Sequence, residues 1–225
     1  MVRFTDVSKR YEGTDALKGV TLTLKKGEMA FVTGHSGAGK STLLRLIALL
    51  DRANGGQVVV DGQNLARIPH RQIPHYRRRI GLIFQDHRLL PDRTVFDNVA
   101  LPLVIAGQRG EETRRRVRAA LDQVGLLSKE KSAPAGLSTG EQQRVGIARA
   151  VVHTPPLLLA DEPTGNLDPD LSREIMDLFQ RLNQIGTTVL IASHDINLIR
   201  ELGHRALRLE HGQLVEHDAT EPTHT

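Results

Sequence analysis

Between Glu28 and Leu50 the chain reads EMAFVTGHSGAGKSTLLRLIALL. A strand-like apolar run enters a loop with glycines at 34, 37 and 39, and the loop opens directly onto a helical pattern of Leu43, Leu44, Leu46 and Ile47. The loop fits G-x-x-x-x-G-K-[ST], a motif that acts only between a strand and a helix. Its glycines let successive backbone N–H groups turn inward around an anion, and the helix start adds N–H groups that have no partner in the helix. Gly34, His35, Ser36, Gly37, Ala38 and Gly39 form the cradle. Lys40 is placed to reach the outer phosphate oxygens, and Ser41, followed by Thr42, to ligate Mg²⁺. A strand that hands over to a helix in this way implies an α/β fold.

The remaining chain agrees. Candidate strands lie at 2–7, 19–24, 28–33, 57–60, 80–84, 157–161, 187–193 and 205–209. LLLAD and TVLIAS are continuously apolar, as strands covered on both faces of a parallel sheet are. After Asp168 a helix is expected with Leu171, Ile175, Leu178, Phe179, Leu182 and Ile185 on one face. Between 86 and 154 strands give way to helical segments at 94–106, 111–125 and 138–152. One domain is therefore expected, with an α/β lobe at 1–85 and 155–217, an inserted helical subdomain at 86–154, and a frayed polar tail at 218–225.

A phosphate loop needs a metal holder and a base elsewhere. LLLADE supplies adjacent carboxylates at a strand end: Asp161 for the Mg²⁺ shell and Glu162 to orient and deprotonate the attacking water. The expected reason for two roles is that successive strand residues face opposite ways. Two more polar residues end apolar strands: Gln85 after IGLIF and His194 after TVLIAS. The C-terminal strand ends of a parallel sheet line its ligand crevice, which points Gln85 to metal and water and His194 to a phosphate oxygen. Standing alone, either would be a loop residue.

The stretch GLSTGEQQRVGIARA presents a second anion-friendly helix start. Ser138 and Glu141 also spell a capping box, in which the two side chains satisfy exposed helix N–H groups. The combination decides between these readings. In order, Tyr11, GHSGAGKST, Gln85, LSTGEQQR, LLLADE, NLD and SHD resemble the ATP-binding cassette (ABC) ATPases over essentially the whole chain. The resemblance implies a RecA-like P-loop NTPase lobe with a mostly parallel sheet, an antiparallel β edge and an inserted helical signature subdomain. It implies ATP and Mg²⁺ as cofactors, and a head-to-tail homodimer in the ATP state. In that dimer Ser138, Gly140 and Glu141 serve the partner copy's γ-phosphate. Tyr11 would stack on adenine, and Asp168, which also reads as a helix N-cap before Pro169, would lie in the loop crossing between sites. The family usually has glycine where Thr139 stands. A requirement for positive φ there would strain a β-branched residue by about 1 kcal/mol or more.

The wording of QDHRLLPDRTVFDNVALPLVIAG, TGHSGAGKST and LLADEPTGNLD resembles the branch of the family that serves bacterial cell division. That implies a polytopic membrane subunit contacting the 86–106 region, regulation of cell-wall hydrolysis, and a peripheral place on the cytoplasmic face of the inner membrane. Of Leu89, Leu90, Val95 and Val99, half are expected in the core and half in the partner groove. Alternatives are the ATPase of a lipoprotein-releasing or macrolide exporter, a soluble cassette protein acting on nucleic acid, and a small-molecule kinase. The kinase has no use for a signature loop. Nucleic acid is not the expected partner: a net charge of +4 suits other acidic surfaces equally, and aromatics are 3% of the chain. With no cysteine, disulfides and thiol chemistry are excluded.

Overall fold

The strand ahead of the glycine loop is β3 (Met29–Thr33), and all five of its residues are buried. The computed structural model describes residues 1–165 and 167–216. The expected tail at 218–225 lies outside the described residues, as does Asn166. By internal contacts the chain divides into two units, one of 1–77 with the segment from 188 onward, and one of 78–187.

In the first unit β3 runs parallel to both β8 (Thr188–Ala192) and β9 (Arg205–Glu210), and β10 (Gln213–Glu216) closes that side antiparallel to β9. β8 is buried throughout, as its unbroken apolar run requires of a strand covered on both faces. The helix α1 (Lys40–Ile47) follows the loop after β3 and buries Leu43, Leu44, Leu46 and Ile47. A second, antiparallel sheet has the order β2 (Thr14–Leu24), β1 (Val2–Tyr11), β4 (Gly55–Val60), β5 (Gln63–Asn64). β1 and β2 outrun the strands expected at 2–7 and 19–24. They meet in a two-residue turn, Glu12–Gly13, with both φ positive (44° and 88°), the geometry that matches strand twist in a hairpin. Short α2 (Ile73–Arg77) ends the first part of this unit, and α7 (Ile196–Leu202) follows β8.

In the second unit β6 (Ile80–Ile83) and β7 (Leu157–Asp161) are parallel. α3 (Val95–Ile105), α4 (Glu111–Gln123) and α5 (Thr139–Val151) fall within two residues of the helices expected at 94–106, 111–125 and 138–152. The helical stretch expected at 86–154 lies within this unit. α5 lies against β6 because Gly81 has no side chain: a Cβ there would stand 2.5 Å from the Ala150 carbonyl oxygen. β6, β7 and α6 (Pro169–Gln184) fall in the same unit as these helices. α6 buries Ile175, Met176, Leu178, Phe179 and Leu182, whereas Ile185, expected on that face, follows the last helical residue and is 75% exposed.

Candidate active site

The loop between β3 and α1 has the backbone its glycines predict. Gly34, Gly37 and Gly39 all have positive φ (142°, 79° and 106°). A Cβ on Gly34 would stand 2.2 Å from the Leu209 carbonyl oxygen and one on Gly39 2.5 Å from that of Ala16, while Gly37 faces open space. Ala38 is buried; His35 and Ser36 are exposed, with the His35 ring Nδ1 2.6 Å from the Ser36 carbonyl oxygen. Lys40 is 8% exposed, and its Nζ donates to the Gly34 oxygen (2.7 Å) and the His35 oxygen (3.2 Å), so the ammonium sits over the loop. Ser41 and Thr42 follow in the first turn of α1.

The start of α1 carries no side-chain cap and no acidic residue in its first turn. α3, α5 and α6 begin differently, with Thr94, Ser138 and Asp168 each accepting a backbone N–H. A helix start without a side-chain cap suits an anion, and the loop and lysine suit a triphosphate.

On the same edge of this unit, Ser193 N–H donates to the Val32 oxygen, so β8 ends level with β3, and exposed His194 follows. Tyr11 ends β1 and is 37% exposed, which makes it a surface ring; the unit's buried tyrosine is Tyr76.

The second unit holds the other strand ends. Ile83 pairs with Ala160, which sets Gln85 and Asp161 at the C-terminal ends of neighbouring parallel strands. Asp161 is the last residue of β7, and Glu162 stands beyond it in left-handed backbone (φ 49°). Glu162 therefore lies outside the strand, and strand alternation does not set its direction. Such a conformation costs a non-glycine residue about 1–3 kcal/mol and persists only where surroundings enforce it.

At the start of α5 the capping box is present. Ser138 Oγ accepts from Glu141 N–H (3.3 Å), and Glu141 Oε2 accepts from Ser138 N–H (2.9 Å). Glu141 Oε1 takes Lys129 Nζ at 2.5 Å, and that hydrogen bond, with Ser138's, holds its carboxyl below the usual range. Both carboxylate oxygens of Glu141 are thus occupied within its own unit. The Ser138 hydroxyl still has its own proton to donate, since it caps as an acceptor. Asp168 likewise accepts from Leu171 N–H (3.0 Å), with Pro169 at the first helical position.

A model of the ABC transporter family matches residues 17–165. The Cell division ATP-binding protein FtsE of Escherichia coli K12 is 59% identical over 95% of this chain and 97% of its own, and that of Haemophilus influenzae is 53% identical over 95% and 99%. The Bacillus subtilis protein of the same name is 42% identical over 97% and 96%. The chain belongs to the FtsE group of ABC ATPases. Among solved structures, the cassette MJ0796 is similar at 37% identity with a TM-score of 0.92, covering 98% of this chain and 100% of that one. It has been determined as a dimer and as a dimeric post-hydrolysis state bound to ADP and Pi.

One departure from the ABC pattern is resolved by the backbone of this FtsE-group cassette. Thr139 is the first residue of α5, with helical rather than positive φ, so its Cβ meets no backbone strain. Three supporting residues carried no signal in the sequence. Arg149 of α5 donates to the His87 and Arg88 carbonyl oxygens (both 2.6 Å), and both of those residues have positive φ. Buried Asn98 holds Leu90 at both its N–H and its oxygen. These two fasten the loop after Gln85. Asp51, the third, binds the Tyr11 hydroxyl at 2.6 Å.

Proposed function

We propose that this chain is the ATP-hydrolysing subunit of a membrane-bound cell-division complex, and that two copies close head-to-tail around two ATP and part after hydrolysis. The observation that carries it is the uncapped start of α1, with three left-handed glycines before it and the Lys40 ammonium over the loop. The backbone of 34–39 would take the β-phosphate and Lys40 the β/γ oxygens. Among the described residues no three His, Asp or Glu gather to bind a metal unaided. A Mg²⁺ ion here would therefore depend on phosphate oxygens together with Ser41, Gln85 and Asp161, and would neutralise charge developing on the transferred phosphoryl group. Glu162 would orient and deprotonate the attacking water, and His194 would donate to a γ-phosphate oxygen. The Ser138 hydroxyl and the Gly140 N–H would grip the γ-phosphate held by the partner copy, with Asp168 in the loop that crosses between sites. Glu141 shapes that grip by holding Ser138 and Lys129.

The membrane subunit would be a polytopic FtsX-like protein. Val95 and Val99 are core, while Leu90, Val104 and Ile105 are exposed, leaving apolar side chains for a partner on the 86–106 segment. No described helix is long and apolar enough to cross a membrane, so a membrane-spanning partner would hold the chain at the cytoplasmic face of the inner membrane, at the division site. Calorimetric titration with Mg·ATP tests the nucleotide assignment. Lys40→Ala should lose binding, and wild-type affinity in that variant would overturn it. Capture of the membrane subunit from co-expressed membranes should depend on Leu90, Val104 and Ile105.

A further inference from the structure

Tyr11 and Asp51 are forty residues apart in sequence, yet the Tyr11 hydroxyl donates to Asp51 Oδ2 at 2.6 Å. Arg45 Nε donates to the same oxygen at 2.6 Å. Arg45 belongs to α1, five residues beyond Lys40. The main chain repeats the connection: Leu50 and Asp51 N–H both point to the Arg45 carbonyl oxygen (2.9 and 3.4 Å), folding the loop back on the last turn of α1. The strand carrying Tyr11 is fastened to the same loop by Arg10 N–H to Asn54 Oδ1 (2.8 Å) and Asn54 N–H to the Ser8 oxygen (2.9 Å). Lys9 completes the cluster. Its Nζ donates to the Arg52 oxygen (2.9 Å) and lies 4.7 Å from the centre of the Tyr11 ring. One ring face is therefore covered by an ammonium, and a base can stack only on the other.

We propose that Asp51 is a positioning residue for the nucleotide base, fixing the Tyr11 ring and locking it to the helix whose first turn holds the phosphates. Base and triphosphate are then gripped by parts of one rigid piece. The proposal rests on Tyr11 as the adenine platform and adds to it the group that sets the ring's place and angle. A surface tyrosine free to turn would lose rotamer freedom on stacking; one already held by its hydroxyl and by Lys9 does not. The Asp51 side chain is 20% exposed, so water does not dissolve the contacts as it does for a fully exposed pair. Its carboxyl is held below the usual range by the Arg45 hydrogen bond first, then by those of Tyr11 and the nearby charges, so it remains an acceptor. The Tyr11 phenol is raised by burial and by Asp51, so it remains a donor.

A ligand without a base separates this role from mere support of α1. The affinities of Mg·ATP and of inorganic tripolyphosphate are measured by calorimetry for the full chain, Tyr11→Ala, Tyr11→Phe, Asp51→Ala and the double variant Tyr11→Ala/Asp51→Ala. Loss of stacking in Tyr11→Ala should weaken ATP about five- to a hundredfold and leave tripolyphosphate within about twofold. Asp51→Ala should weaken ATP about three- to tenfold and spare tripolyphosphate, and should add nothing in the Tyr11→Ala background. Tyr11→Phe, which keeps the ring and loses only the hydrogen bond, should match Asp51→Ala. Equal weakening of both ligands by Asp51→Ala, additivity with Tyr11→Ala, or full ATP affinity in Tyr11→Phe would overturn the proposal. Unchanged ATP affinity in Tyr11→Ala would instead remove the platform itself, and with it the need for a positioning residue.

Discussion

Glu162 sits one residue past β7 in left-handed backbone, outside the strand that ends at Asp161. Glu162→Gln keeps that shape and removes the proposed base. It should bind Mg·ATP normally and lose about 10²- to 10⁴-fold in turnover, read by phosphate release. His194 is exposed at the end of β8, where an imidazole can donate to a phosphate without being needed to hold the nucleotide. His194→Ala should therefore lower kcat more than affinity, and unchanged kcat would remove it from the site. Thr139 needs no positive φ, so Thr139→Gly relieves nothing. It should leave the ATPase rate within about twofold while costing up to about 1 kcal/mol of helix stability. A slower wild-type enzyme rescued by that change would contradict this.

At the scale of elements, α5 carries two jobs at its two ends. Its N-cap is Ser138, and its last turn sends Arg149 to two carbonyls of the loop after Gln85. Burial pushes the Arg149 guanidinium down, and its carbonyl bonds are what make its place tolerable. Asn98 binds the next part of that loop from α3, with its amide on the Leu90, Arg93 and Thr94 oxygens and its oxygen on Leu90 N–H. Asn98→Ala leaves several buried groups unpaired and should destabilise the chain by about 1–3 kcal/mol in urea unfolding. The long elements were legible in the sequence because period and length agree: β7 as an unbroken apolar run, α6 as a stripe ended by Ile185. The first hairpin was not, because Glu12–Gly13 is a weaker turn signal than Asn-Gly and the outer strands lack alternation. The Asp51 and Arg149 attachments join residues forty or more positions apart, and nothing in local spacing announces them. The close approach of α5 to β6 is a similar case: it passes over Gly81, where a Cβ would stand 2.5 Å from the carbonyl oxygen of Ala150, a residue remote in sequence.

For the whole molecule, acid just below neutrality acts through two half-buried imidazoles. Burial holds His153 below its ordinary value, against the opposing pull of the Ile80 backbone, and His204 is lowered by burial as well. The unfolded chain takes up protons near pH 6.5 that the folded chain resists, so this stability is complete above that pH and is lost as the pH falls below it. The urea midpoint should drop between pH 7 and 5.5, and His153→Gln should lessen the drop. Assembly is the larger question at this scale. A phosphate loop in the first unit and a Ser138 helix start in the second make sense together if each serves a nucleotide shared with another copy. The most direct measurement is light scattering of Glu162→Gln with saturating Mg·ATP. A particle of twice the 24.8 kDa chain is expected, falling back to a monomer without nucleotide or with Ser138→Phe added. A monomer at saturating Mg·ATP, or a dimer indifferent to both nucleotide and Ser138, would contradict it.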